Sequence, residues 1–277
     1  MKKLSLAALV LGAVTGPVQG QSFEVFTHYA DSESDSASAG VADSQTSLGL
    51  IGINYYTEPL DTTEGPLALA SFYGQNTHIS LSHARGEYDS SNSSSDLDAT
   101  AISTRWVNRK SGWLGSANYR RTTVDTQPQV KQLNYTLAIG KYIAPTSEIA
   151  LAFNRVEDAT NGDSKALRVS NFHAQQIGAD QYFDGGVALS YIERERSEDG
   201  FQFELASTYY PSRAVGLGLS ASFSDAGNED TLHYGLSAQW FVTPSVALDA
   251  HIIHSDTQRS GVDIDTQTLQ LGMKVRF

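Results

Sequence analysis

The last ten residues alternate. Leu269, Leu271, Met273, Val275 and Phe277 fall on one side of a period-two strand, and Thr268, Gln270, Gly272, Lys274 and Arg276 on the other. The same rhythm returns in Leu133, Tyr135, Leu137 and Ile139, in Val215, Leu217, Leu219, Ala221 and Phe223, and in Leu232, Tyr234, Leu236, Ala238 and Trp240. A chain built this way must form a sheet with one apolar face and one wet face. An all-β fold is therefore expected, and helical architectures are excluded as its main framework.

The N-terminus indicates an address. Lys2 and Lys3 precede an apolar run over 4–14, followed by Pro17 and the small-residue stretch Val18-Gln19-Gly20. Residues 1–20 are read as a cleaved secretory signal, which leaves 21–277 as one domain. The apolar run is too short for a spanning helix, and no Cys follows it for lipid attachment. The chain contains no cysteine at all, so no disulfide staples the exported protein. Loss of Lys2 and Lys3 takes the formal charge from −12 to −14, which argues against a nucleic-acid partner. Mean hydropathy is negative. That does not exclude a membrane barrel, because a spanning strand needs only about 9–11 residues, half of them polar.

Strands are predicted over 22–30, 45–56, 78–87, 98–107, 113–124, 131–142, 148–156, 166–183, 187–196, 201–210, 214–223, 232–242, 246–254 and 264–277. The stretch 166–183 is the least regular and suggests a bulge. Connections at 108–112, 143–147, 184–186, 211–213 and 243–245 are short. Those at 31–43, 89–97, 125–130, 157–165, 224–230 and 255–263 are mostly longer and more acidic. Short periplasmic turns and longer extracellular loops are the pattern of a single antiparallel transmembrane β-barrel. The segment 65–77 decides the count. The run after Pro66 reads as a helical turn or a strand, and if it is a connection the total is about 14, an even number. Twelve or sixteen strands stay open.

Tyr55, Tyr56, Trp106, Trp113, Tyr142 and Trp240 cluster beside the short connections, as do Phe183, Tyr209, Tyr210, Phe241 and Phe277, which suggests a periplasmic aromatic girdle. By alternation the lumen would carry Asn134, Glu204, Gln239, Asp249, Gln270, Lys274 and Arg276, joined by Arg120, Arg168, Arg194 and Arg196. Arg120, Arg168, Lys274 and Arg276 are expected to face Glu204 and Asp249 across the lumen and set its field. The acidic loops lack the fixed ligand spacing of a calcium site and read as solvated. No metal or other cofactor is implied. His251 and His254 fall on opposite faces of one strand and cannot pair on a metal. His254-Ser255 is the only local hint of a nucleophile site, so a non-enzymatic protein is expected.

The C-terminal strand ending in Phe277, with Met273 and Val275 on its apolar face, resembles the terminal strand that barrel-assembly machinery reads in bacterial outer-membrane proteins. Gly65-Pro66-Leu67-Ala68-Leu69-Ala70-Ser71-Phe72, preceded by Asn54-Tyr55-Tyr56, resembles a segment of the small general porins of Gram-negative bacteria. That resemblance spans nearly the whole chain through the signal, the length and the ending. It implies an outer-membrane channel passing small hydrophilic solutes and ions, in contact with lipid and lipopolysaccharide, and it brings no binding residue with it. The alternative is a loop-occluded barrel serving as a surface adhesin or an envelope structural protein. Self-association of the barrel stays open.

Overall fold

The computed structural model describes residues 21–36, 43–90, 93–126, 129–158, 160, 162–226, 229–259 and 262–277. The expected signal segment 1–20 and part of the first acidic loop, 37–42, lie outside the described residues. Fourteen strands follow in order: β1 (Gln21–Ser36), β2 (Ser44–Leu60), β3 (His78–Ser90), β4 (Ser93–Val107), β5 (Trp113–Val124), β6 (Val130–Ala144), β7 (Ser147–Asp158), β8 (Ser164–Gln176), β9 (Tyr182–Arg194), β10 (Gly200–Ser212), β11 (Val215–Asp225), β12 (Glu229–Thr243), β13 (Val246–Arg259) and β14 (Val262–Arg276). Each pairs antiparallel with its neighbour in sequence, and β1 pairs with β14, so the sheet closes on itself.

The closing seam runs from Glu24 opposite Arg276 to Ser36 opposite Ile264. Phe23 and Phe277 exchange both backbone hydrogen bonds at 2.9 Å, and their rings stack at 6.3 Å. The last residue is thus part of the ladder. Val275 lies between Val25 and Val246 in the sheet and is buried, whereas Phe277 is exposed on the outer surface.

Alternation divides the wall. Leu137 and Leu219 are 62% exposed on the outside, and Leu236 is 60% exposed, while their chain neighbours Thr136, Ser220 and Ser237 belong to the inner face. An apolar outer belt and a polar interior invert the layout of a water-soluble barrel. In hydrocarbon this inversion is stable because closure leaves no unpaired backbone edge.

Two expectations about strand limits change. β1 runs on to Ser36 and β3 to Ser90, into stretches expected as loops. Ser32 and Thr268 hydroxyls pair at 2.8 Å and Ser34 and Thr266 at 2.9 Å, so the ladder continues with polar residues on both faces. Backbone pairing needs no apolar side chains once the strand has left the membrane. The other change is at 166–183, which is not one bulged strand. β8 ends at Gln176, a turn occupies 177–181, and the expected turn 184–186 lies inside β9. Gln176 Nε2 bonds the carbonyls of Gly178 and Ala179 at 2.9 and 2.8 Å, and Ile177 N bonds Gln181 O at 2.9 Å, which fixes the true turn.

The segment between β2 and β3 is a connection, holding a 3-10 turn (Leu67–Leu69) and one turn of helix, α1 (Ala70–Tyr73). Gly65 enters it with φ +64°, a conformation that costs a side-chain-bearing residue more than glycine. The outer belt yields a direct test: Leu137→Lys should lower unfolding stability in lipid vesicles by about 2–4 kcal/mol, the cost of a lysine near the bilayer midplane.

Candidate functional site

The candidate site is the lumen and its two mouths. By alternation, inward positions hold Arg120 on β5, Asn134 on β6, Arg168 on β8, Glu204 on β10, Gln239 on β12, Asp249 on β13, and Gln270, Lys274 and Arg276 on β14, with Asp249 and Arg276 buried in the wall. Arg168 meets Glu204 as expected, though not across the lumen, and the other partners differ. Arg168 grips Glu204 with both guanidinium nitrogens, the longer contact 2.8 Å, along one wall with β9 between them. Lys274 and Arg276 turn instead to Glu24, at 3.8 and 2.7 Å. Asp249 faces His28 and His251, each 3.5 Å away. The expected field across the lumen is therefore a set of local pairs on the wall. Glu24 went unnoticed in the sequence because one carboxylate in a first strand carries no spacing signal.

Arg105 on β4 reaches Glu148 on β7 at 2.5 Å and the Tyr142 hydroxyl at 3.0 Å. Asn154 joins Asn134 and Thr136 at 2.8 Å each. These groups border a cavity of about 1030 Å³ walled by Arg105, Glu148, Arg168, Arg194, Gln202 and Arg259 among others. A second of about 540 Å³ holds Glu204, Ser220, Ser222 and His233. Among the described residues Arg120 has no ion pair, and the Arg194 side chain has none either.

The chain's acidic surplus stands elsewhere. By alternation Asp31, Glu33 and Asp35 on β1, Glu87 and Asp89 on β3, Asp96 and Asp98 on β4, and Asp263 and Asp265 on β14 point outward at the upper strand ends. Inside, Glu24, Glu148 and Glu204 are each answered by arginine. A chain of formal charge −12 thus encloses a lumen that is close to balanced.

The lower mouth, at the rim nearest Phe277, is crossed by the 61–77 connection. Leu67 packs with Phe241 and Ala247, and its backbone N–H donates to Arg213 O at 2.9 Å. Its carbonyl accepts from Arg276 Nη1 at 2.9 Å. Arg213 Nε donates to Gly65 O at 2.7 Å, and Arg213 Nη2 holds Thr62 O. On the far side Phe72 packs against Val107, Leu114 and Tyr142, with its ring edge-on to Phe172 at 4.7 Å. The connection therefore touches β4, β5, β6, β8, β12, β13 and β14 and spans the mouth. At its start Asp61 accepts from the Thr63 hydroxyl at 2.6 Å and its amide at 2.8 Å, which hold its carboxyl below the usual range.

This connection explains why the aromatic cluster divides. Tyr55, Trp106, Trp113 and Trp240 are exposed on the outer surface near the lower rim, with Phe183, Tyr209 and Phe277. Tyr56 and Tyr142 are turned inward and buried, as are Tyr210 and Phe241. Neighbours such as Tyr55 and Tyr56 on one strand cannot share a face. Phe241 and Tyr142 pack beneath the crossing segment, and Tyr210 donates to Asp184 at 2.7 Å.

The histidines assemble no hydrolytic site among the described residues. Ser255 is buried on the inner face while His254 is on the outer one, beside Asp256 and Asp265. Ser147 and His173 meet at 2.5 Å where β7 pairs with β8, a contact the sequence did not reveal. No bond joins His173 to a carboxylate among the described residues.

No family model matches the sequence, and no curated protein does. Solved structures do. The outer membrane protein Omp33 of Acinetobacter baumannii superposes with a TM-score of 0.62 at 19% identity, covering 93% of this chain and 99% of that one. A TodX deltaS2S3 mutant, a monoaromatic hydrocarbon channel, gives 0.56 at 9% identity over 94% and 91%. An outer membrane channel from Pseudomonas putida F1 gives 0.53 at 10% over 96% and 98%. At such identities the likeness establishes the fold alone: this chain is a closed fourteen-stranded antiparallel barrel with the architecture of these outer-membrane structures.

Proposed function

We propose that the protein is a non-enzymatic porin-like channel of the Gram-negative outer membrane, through which small hydrophilic solutes and ions diffuse passively. The observation that carries this reading is a polar, charge-balanced lumen inside a wall whose outside is apolar. Eight-stranded barrels fill their interiors with side chains and barrels of 16–18 strands leave an aqueous channel, so fourteen strands leave space for water. The lumen's arginines and carboxylates suit hydrated solutes better than hydrocarbons.

In this reading residues 1–20 export the chain, and the lower rim faces the periplasm. The assembly machinery reads Phe277 with Val275 and Met273, and Tyr55, Trp106, Trp113 and Trp240 anchor the periplasmic interface. The outward carboxylates at the upper strand ends meet lipopolysaccharide through shared divalent cations. The 61–77 connection forms the throat, so only small solutes pass. Because Glu24, Glu148 and Glu204 are each held by arginine while Arg120 and Arg194 have no ion pair among the described residues, the channel favours anions weakly.

Folded protein in planar bilayers should show stable open steps, and a folded barrel without them would overturn the reading. Arg120→Glu combined with Arg194→Glu should move the reversal potential in a salt gradient toward cations. Freeing the throat by Arg213→Ala, which removes its bonds to Gly65 O and Thr62 O, should raise the mean step size and the current noise.

A further inference from the structure

Short side chains form a bay in the lumen wall between β4 and β9. One cross-strand row runs Arg105, Ser116, Ala138, Ala152 and Arg168, each opposite the next. At about 4.8 Å per strand the two arginines stand roughly 19 Å apart along the wall, with nothing longer than serine between them. The row toward the throat continues the pattern with Ala150 opposite Ser170, and the row away from it places Ala166 opposite Ile192. The cavity of about 1030 Å³ is the space these side chains leave, and Val156 and Ile192 extend its apolar floor.

The charges around the bay are unevenly answered. Arg105 is tied to Glu148 and to the Tyr142 hydroxyl, and Arg168 to Glu204, so both flanking arginines are satisfied within the wall. The other carboxylates lining the cavity are also held: Asp158 by Gln132 at 3.2 Å and the Thr160 amide at 2.8 Å, Asp163 by Arg155 at 3.3 Å, and Glu229 by Arg259 at 3.5 Å. Arg194 and Arg196 line the upper edge and have no carboxylate partner among the described residues. Arg196 donates one nitrogen to Thr160 O at 2.8 Å. An apolar floor therefore adjoins a cationic edge that the wall leaves unneutralised, with Ala166 opposite Ile192 only two residues from Arg194.

We propose that this bay binds a small organic monoanion with a compact apolar body, of the aromatic carboxylate class. Its carboxylate meets Arg194 and Arg196, and its ring lies on Ala138, Ala152 and Ala166. The proposal rests on the water-filled lumen of the channel and names the solute that lumen holds. Guanidinium and carboxylate pair bidentately, which fixes one end of the solute. The alanines take the ring's face out of water, which holds the other end. An inorganic ion gains nothing from the floor, and a neutral ring gains nothing from the edge. A sugar would set hydroxyls against alanine and leave them without partners. Only a solute with both features is retained, in a cavity of the size that encloses small ligands.

The test is equilibrium dialysis of labelled benzoate against the full folded barrel in detergent at neutral pH, with empty micelles as the blank. The expected result is one benzoate per barrel, with benzyl alcohol and formate held at least tenfold more weakly. Arg194→Gln combined with Arg196→Gln should weaken benzoate retention at least fivefold, and so should Ala152→Leu, which fills the floor. Ser82→Leu, at an inward position on β3 outside the bay, should leave it unchanged. Should Ala152→Leu fail to fold, Ala166→Leu fills the same floor from β8. No retention above empty micelles overturns the proposal, as does benzyl alcohol or formate held as tightly as benzoate, or retention that survives filling the floor. Open steps in planar bilayers without benzoate retention overturn this site and spare the channel, whereas retention without open steps upholds the site and overturns passive passage.

Discussion

Everything in this molecule depends on the seam between β1 and β14. A sheet in hydrocarbon has no water to satisfy a free edge, and each unsatisfied backbone group costs several kcal/mol. The ladder from Glu24–Arg276 to Ser36–Ile264, finished by the paired backbones of Phe23 and Phe277, removes that edge completely. With the edge gone, alternation alone assigns each side chain to lipid or to lumen.

That assignment is strict enough to sort charge. Thirty-one acidic residues against nineteen basic ones would, if spread evenly, make the pore strongly negative. They are not spread evenly. Glu24, Glu148 and Glu204 each meet an arginine inside, while Asp31, Glu33, Asp35 and their neighbours on β3, β4 and β14 face outward where the strands rise past the apolar belt. Overall charge and the electrostatics of the passage are therefore separate properties of this chain, set by different strand positions.

The class of fold and the number of strands were legible in the sequence, because a period of two is a local signal that repeats many times. What was not legible depends on contacts far apart in the chain. Asp184-Gly185-Gly186 looks like a turn, but Asp184 is an inner-wall residue bonded to Tyr210, and the turn is five residues wide at 177–181. Tyr56 and Tyr142 looked like interface anchors because they sit beside connections, but the facing parity of each strand sends them inward, where the crossing segment packs. The partner of Lys274 and Arg276, and one of the two facing Asp249, come from β1, more than 200 residues away, and pairing at that distance leaves no trace in spacing.

The crossing segment is tied to the seam itself. Arg276, next to the final residue, holds the Leu67 carbonyl with one nitrogen and Glu24 of the first strand with another. That grip exists only when the two ends of the polypeptide have met. An unfinished barrel therefore lacks this clamp and keeps the holds from Arg213, Phe241 and Ala247, so the segment is fully seated only once the wall around it has closed.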